Sequence, residues 1–140
     1  MTPQDICLIR DSWARVEPIA ETAVSSFYQR LFDIAPELRE HFASTDMAAQ
    51  HVRLAQTLGA AVANLDDPAT LVPILRKLGE THAGYGADVG AYDKVGLALL
   101  WTLENGLGPD WTPDTREAWT RAYGFIVENM LIGAASAEAA

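Results

Sequence analysis

Apolar residues recur through this chain with a period of three to four, and most of the joints between one recurrent run and the next contain a proline. Proline lacks a backbone donor and clashes with the preceding turn, so it opens helices far more readily than it sits inside them. The chain is therefore divided into several separate helices. Thr2-Pro3-Gln4-Asp5 has the make-up of a helix start, with a capping hydroxyl, proline at the first helical position and an acid in the first turn; Ile6, Ile9, Trp13 and Val16 then mark one face. Pro18 interrupts, and the next stripe is Ala20, Ala23, Phe27 and Leu31, with Tyr28 beside it. Pro36 begins a short helical piece that ends near Phe42. Ser44, Thr45 and Asp46 offer caps for a longer helix whose inner side is Gln50 or His51, then Leu54, Leu58, Val62 and Leu65.

Asp66-Asp67-Pro68 stops that helix and caps another, which Pro73 is expected to kink or restart. Tyr92, Val95, Leu99, Leu103 and Leu107 form the stripe after it. Thr112-Pro113-Asp114 caps the last helix, with Trp119, Ala122, Tyr123, Ile126 and Met130 on the core side. No stretch alternates with period two over strand length. The expectation is an all-α domain of six to seven helices over residues 1–133, followed by a small-residue tail, 134–140, that frays.

Charge and cysteine content narrow the function. Ten basic against nineteen acidic residues give a net charge of -9, which repels a phosphate backbone and an anionic membrane alike, so neither nucleic acid nor membrane is expected as a partner. Cys7 is the single cysteine, which excludes an internal disulfide and a four-thiolate zinc site. The first twenty residues carry charges throughout and no run reaches membrane-spanning length, which leaves a cytoplasmic location as the default. Gly84, Gly86 and Gly90 approach a dinucleotide fingerprint, but the third glycine falls one residue late and no strand precedes it.

The stretch with the clearest chemical content is Leu78-Gly79-Glu80-Thr81-His82, where a lone histidine closes the apolar run Leu71, Ile74, Leu75, Leu78. Leu78 lies four residues before His82 and shares its face, so the imidazole points into the fold. Gly84 and Gly86 suit the helix end that follows. A buried imidazole with few local partners suggests a ligand, as against a core histidine satisfied by a carbonyl.

Six or seven helices with proline joints do not make a simple up-and-down bundle; they resemble a globin. The resemblance is carried by Phe27-Tyr28 followed by Leu31-Phe32, by Pro36 and Phe42, by Gln50 and Leu54, by His82 with Tyr92 ten residues later, and by Ala118-Trp119 and Ala122-Tyr123-Gly124. Over roughly residues 4–132 the chain is more similar to the single-domain bacterial globins related to the haem domain of flavohaemoglobins than to animal globins.

That resemblance implies a pocket for haem b, non-covalent because a single cysteine cannot make the two thioether links, with His82 as the proximal iron ligand and Leu78 beneath the porphyrin. It implies that Phe42 lies against the haem face, that Tyr28 is the distal tyrosine and that Leu54 narrows the distal pocket. Gln50 and His51 both share a face with Leu54, and either could face the iron; the resemblance favours Gln50, which can only donate a hydrogen bond to a gas, whereas His51 could also coordinate iron. His41 is expected at the surface. The ligands implied are oxygen, carbon monoxide and nitric oxide. Reversible oxygen binding is the implied function, with conversion of nitric oxide to nitrate as an activity that needs a separate reductase, since 140 residues are filled by the globin itself. Tyr92 matches a tyrosine that supports the proximal histidine in that group, but the carboxylate that accompanies it would fall near Ala134 to Ser136, and Glu138 comes too late. Weak peroxidase activity is the expectation. The alternative of a different class is a haem-free globin-fold sensor or interaction module.

Overall fold

The computed structural model describes residues 1–84 and 89–139, and these contain α-helices and short 3₁₀ turns with no strand among them. Six α-helices follow in order: α1 (Pro3–Val16), α2 (Ala20–Ile34), α3 (Met47–Ala63), α4 (Pro68–Gly84), α5 (Val89–Leu107) and α6 (Pro113–Ala139). The joints carry 3₁₀ turns at Glu17–Ile19, Pro36–Phe42 and Gly108–Asp110, each with its proline in the first turn.

The helix starts are made by the residues that the sequence marks for them. The Thr2 hydroxyl accepts the Asp5 amide while the Asp5 carboxylate accepts the Thr2 amide, both at 3.1 Å, which satisfies two otherwise orphaned donors. Asp46 caps α3 through Ala48 and Ala49, Asp67 accepts from the Thr70 amide at the start of α4, and the Thr112 hydroxyl accepts the Thr115 amide at the start of α6. Pro73 does not restart α4. It sits in the second turn, where the missing amide removes a single intrahelical bond, and the helix runs unbroken to Gly84. Gly86 lies outside the described residues, and α6 continues as helix through Ala139.

The core is built from one stripe per helix: Ile9, Trp13 and Val16 of α1, Leu71 and Leu75 of α4, Leu99 and Leu103 of α5, and Ala118, Trp119 and Ala122 of α6 are all buried. On α2 the buried set is Val24, Phe27, Tyr28 and Leu31, so Tyr28 belongs to the stripe itself, and Ala20 and Ala23 are only half-covered. The indole of Trp119 donates to the Ser12 hydroxyl at 2.8 Å and ties α6 to α1 inside the core.

Two packing relations position the site. α4 rests on α6 so closely that their backbones touch: a Cβ on Gly79 would overlap the Met130 carbonyl, and one on Gly133 would overlap that of Arg76. α3 is carried instead by α1 and α2. Along α3, Ala61 and Val62 are buried at the C-terminal end, whereas Gln50, His51, Leu54 and Leu58 nearer the start are half-covered.

Candidate functional site

His82 sits in the last turn of α4, half-buried, three residues beyond the Gly79 contact that fixes where this helix lies. Its Nδ1 is 2.8 Å from the Leu78 carbonyl oxygen. A carbonyl can only accept, so Nδ1 carries a proton, and in the neutral tautomer this bond selects, Nε2 is the nitrogen left to bind a metal. The arrangement fixes both the tautomer and the ring orientation, which is what an imidazole ligand to a metal requires of its other nitrogen. Leu78 itself is half-buried against the core.

A second set of side chains gathers around Tyr28. The ring is buried in an aromatic cluster with Phe27 at 5.0 Å, Phe32 at 6.1 Å and Phe42 at 5.6 Å between centroids. Gln50 of α3 donates its Nε2 to the Tyr28 hydroxyl oxygen at 3.0 Å. His51 lies flat on the face of the Tyr28 ring, 5.1 Å between centroids and 12° between planes. Gln50 and His51 thus both reach Tyr28, one at the hydroxyl and the other at the ring. Burial raises the Tyr28 pKa above the ordinary value of 10.0, opposed in part by the Gln50 hydrogen bond and the Arg53 charge, so the phenol keeps its proton at neutral pH. Among the described residues that proton has no acceptor. Leu54 lies one turn beyond Gln50, half-buried, and His41 is exposed.

Tyr92 opens α5 as a buried side chain, and burial raises its pKa as well. Its backbone carbonyl accepts a 2.6 Å hydrogen bond from the Tyr123 hydroxyl. The Tyr123 ring lies against α5 where Gly96 leaves space, since a Cβ there would come to 2.7 Å from the ring. Burial, with the Tyr92 and Asp93 charges, pushes the Tyr123 pKa far up.

The expected residues therefore form two groups and a support. Phe42, Gln50 and His51 each contact Tyr28, across α2, the Pro36–Phe42 turn and α3; His82 and Leu78 lie together on α4; Tyr92 is anchored to α6 through Tyr123. Three residues that shape the site were not singled out from the sequence. Arg53 donates to the Gln50 carbonyl oxygen from Nε at 3.3 Å and from a terminal nitrogen at 2.8 Å, and its outward place on α3 gave no sign of this. Gly79 and Gly133 set the α4 to α6 approach, and an isolated glycine within a helical pattern is the signal that could have found them.

The donor set offers one position to a metal that another group already holds, rather than a chelating site for a bare ion. One imidazole stands on α4, one phenol on α2 and one amide on α3, and Phe42, Leu54 and Leu78 are apolar and half-buried. Among the described residues no cluster of three or more histidine, cysteine or carboxylate side chains could chelate a bare metal ion. No described helix is long and apolar enough to cross a membrane.

Residues 25–130 match the family model described as Globin. The chain is 32% identical over 123 residues to a flavohemoprotein of Bacillus subtilis, covering 86% of this chain and 31% of that protein. It is 30% identical over 130 residues to a flavohemoprotein of Rhodopirellula baltica, covering 91% of this chain and 32% of that one. Against the neuroglobin of Danio rerio it is 32% identical over 149 aligned residues, covering 95% of this chain and 92% of the relative. The chain thus spans about a third of the flavohemoproteins and nearly the whole of the neuroglobin.

Proposed function

Since this chain belongs to the globin family, we propose that it holds haem b between α3 and α4 and binds oxygen reversibly there, with His82 as the proximal ligand. The observation that carries this reading is the 2.8 Å bond from His82 Nδ1 to the Leu78 carbonyl, which leaves Nε2 bare and oriented. Bound haem supplies an iron with one open position for a diatomic gas. Leu78, Phe42 and Leu54 provide the apolar walls that keep water from it. Tyr28 is the main hydrogen-bond donor to the gas, and Gln50 supports it from the hydroxyl side. A donor aimed at a partly charged acceptor contributes about 1.5 to 3 kcal/mol, or roughly ten- to a hundred-fold in affinity. Slow oxygen release follows. Tyr92, held by Tyr123, supports the proximal side.

The likeness to flavohemoproteins supports a second activity at the same pocket, conversion of nitric oxide to nitrate with electrons from a reductase. The chain's net charge of -9 argues against nucleic acid and anionic membranes as partners. The test is to load the purified protein with haem, reduce it and follow oxygen and carbon monoxide binding in the Soret region. Reversible oxygenation with slow release is expected. Failure to retain haem, or a ferrous form that binds neither gas, would overturn the reading in favour of a haem-free globin.

A further inference from the structure

We propose that Arg53 is the positioning residue that sets the direction of the hydrogen bonds in the distal pocket, and so decides whether the Tyr28 proton is offered to a ligand or consumed within the protein. The inference rests on the proposed haem site for its consequence, but not for its geometry. The Gln50 side chain has one accepting end and one donating end of nearly equal size, so its amide can sit either way round against Tyr28. With Nε2 toward the phenol, the Tyr28 oxygen accepts and its own proton is free. With Oε1 toward the phenol, Tyr28 donates to Gln50 and shows the pocket an oxygen lone pair instead.

Nothing about Tyr28 chooses between these, because a hydroxyl can accept or donate equally well. Arg53 does choose. A guanidinium has donors only, and two of them converge on Gln50 Oε1 at 2.8 and 3.3 Å. Reversing the amide would set Nε2 hydrogens against guanidinium hydrogens and lose both charge-assisted bonds. The donors therefore run one way, from Arg53 to Gln50 to the Tyr28 oxygen at 3.0 Å, and the last proton in the series is the one with no acceptor among the described residues. Each bond in such a series polarises the next, so the cationic end strengthens Tyr28 as a donor. Arg53 is exposed and faces no carboxylate in any ion pair of the described residues, which leaves its charge to act on Gln50. The consequence is selectivity: ligands that carry negative charge gain from the orientation, and a weak acceptor such as carbon monoxide hardly does.

The experiment compares the haem-loaded protein with Arg53→Met, Arg53→Lys, Gln50→Leu and the Arg53→Met/Gln50→Leu double variant. Arg53→Met should speed oxygen dissociation about three- to ten-fold, leave carbon monoxide dissociation within about two-fold and raise the stretching frequency of bound carbon monoxide. Arg53→Lys keeps the charge on a flexible ammonium without the planar fork and should restore part of each change. In the Gln50→Leu background Arg53→Met should change oxygen release by less than about two-fold, since without the amide only the direct pull of the Arg53 charge on Tyr28 is left to lose. Equal oxygen release in Arg53→Met and the parent, or an Arg53 effect that persists at full size without Gln50, would overturn the proposal. The haem-free protein gives an independent readout: the Tyr28 phenol should titrate at higher pH in Arg53→Met, and by more than Arg53→Met adds in the Gln50→Leu background, where only the direct charge effect is lost; equal shifts in the two backgrounds would count against the series even if haem binding itself failed.

Discussion

Replacing Gly79 by alanine adds one methyl group where α4 meets α6, and the structure assigns that change a sign opposite to its usual one. In an exposed helix interior Gly→Ala stabilises by about 0.5 to 1 kcal/mol through backbone entropy. At Gly79 the new Cβ would fall on the Met130 carbonyl oxygen, with the Met130 carbonyl carbon and Cα also inside contact distance. All three are backbone atoms, so no rotamer change relieves the clash, and the helices must part. Overpacking of a tight contact costs about 1 to 3 kcal/mol, and a backbone-to-backbone clash belongs at the upper end, so the net effect is a loss of about 2 kcal/mol. At this chain length that lowers the melting temperature by about 6 to 10 °C. Gly124 is the internal control on α6, because a Cβ there meets nothing within 4 Å; Gly124→Ala should raise the melting temperature by about 2 to 5 °C. Thermal unfolding by circular dichroism, on haem-free and haem-loaded protein, measures both. His82 lies three residues from Gly79, so Gly79→Ala should also release haem faster. Two substitutions with the same sign would show that α4 and α6 do not approach through Gly79.

Further outcomes follow from the same geometry. Tyr28→Phe deletes one hydroxyl at nearly constant volume and should speed oxygen release by roughly ten-fold or more, with a smaller effect on carbon monoxide; stopped-flow displacement separates the two, and equal small effects would remove Tyr28 as donor. Tyr28, Tyr92 and Tyr123 all titrate above the ordinary value of 10.0 in the folded protein. The stability they contribute as neutral phenols is complete below about pH 10 and is lost as pH rises through their folded values, so denaturant midpoints should fall on the alkaline side. Hydrogen peroxide turnover with a small reducing substrate should be weak, and Glu138→Gln should not change it, since Ala134 to Ser136 supply no carboxylate where the supporting acid would stand; robust turnover that the substitution abolishes would restore Glu138 to that role.

Much of this fold was legible because it rests on local signals. Thr2, Asp46, Asp67 and Thr112 cap the helices they were expected to cap, since a side chain that satisfies an orphan amide does so from two or three residues away. The buried stripes of α1, α5 and α6 follow the period for the same reason. Where the reading departed from the structure, a tertiary relation had decided. Pro73 leaves α4 whole because its position early in the helix and the support of α6 make one missing bond tolerable. Tyr28 lies within the core stripe of α2 because Phe42 and α3 close over that side. Gly79 and Gly133 are meaningful only as a pair 54 residues apart, and Arg53 matters through an amide one turn before it on the side that periodicity marks as solvent. At the site, the period could not separate Gln50 from His51, because both do reach Tyr28; the difference between hydroxyl and ring face needs coordinates.

The most direct measurement of the account is the visible spectrum of the reduced, haem-loaded protein beside that of His82→Gly, before and after addition of imidazole. A single axial imidazole from His82 should give a five-coordinate ferrous spectrum in the parent. His82→Gly should lose haem or the nitrogen-ligated spectrum, and free imidazole should restore it. A six-coordinate ferrous parent that His51→Ala converts to five-coordinate would place His51 rather than Gln50 at the iron. Unchanged spectra and haem retention in His82→Gly would contradict the account at its centre.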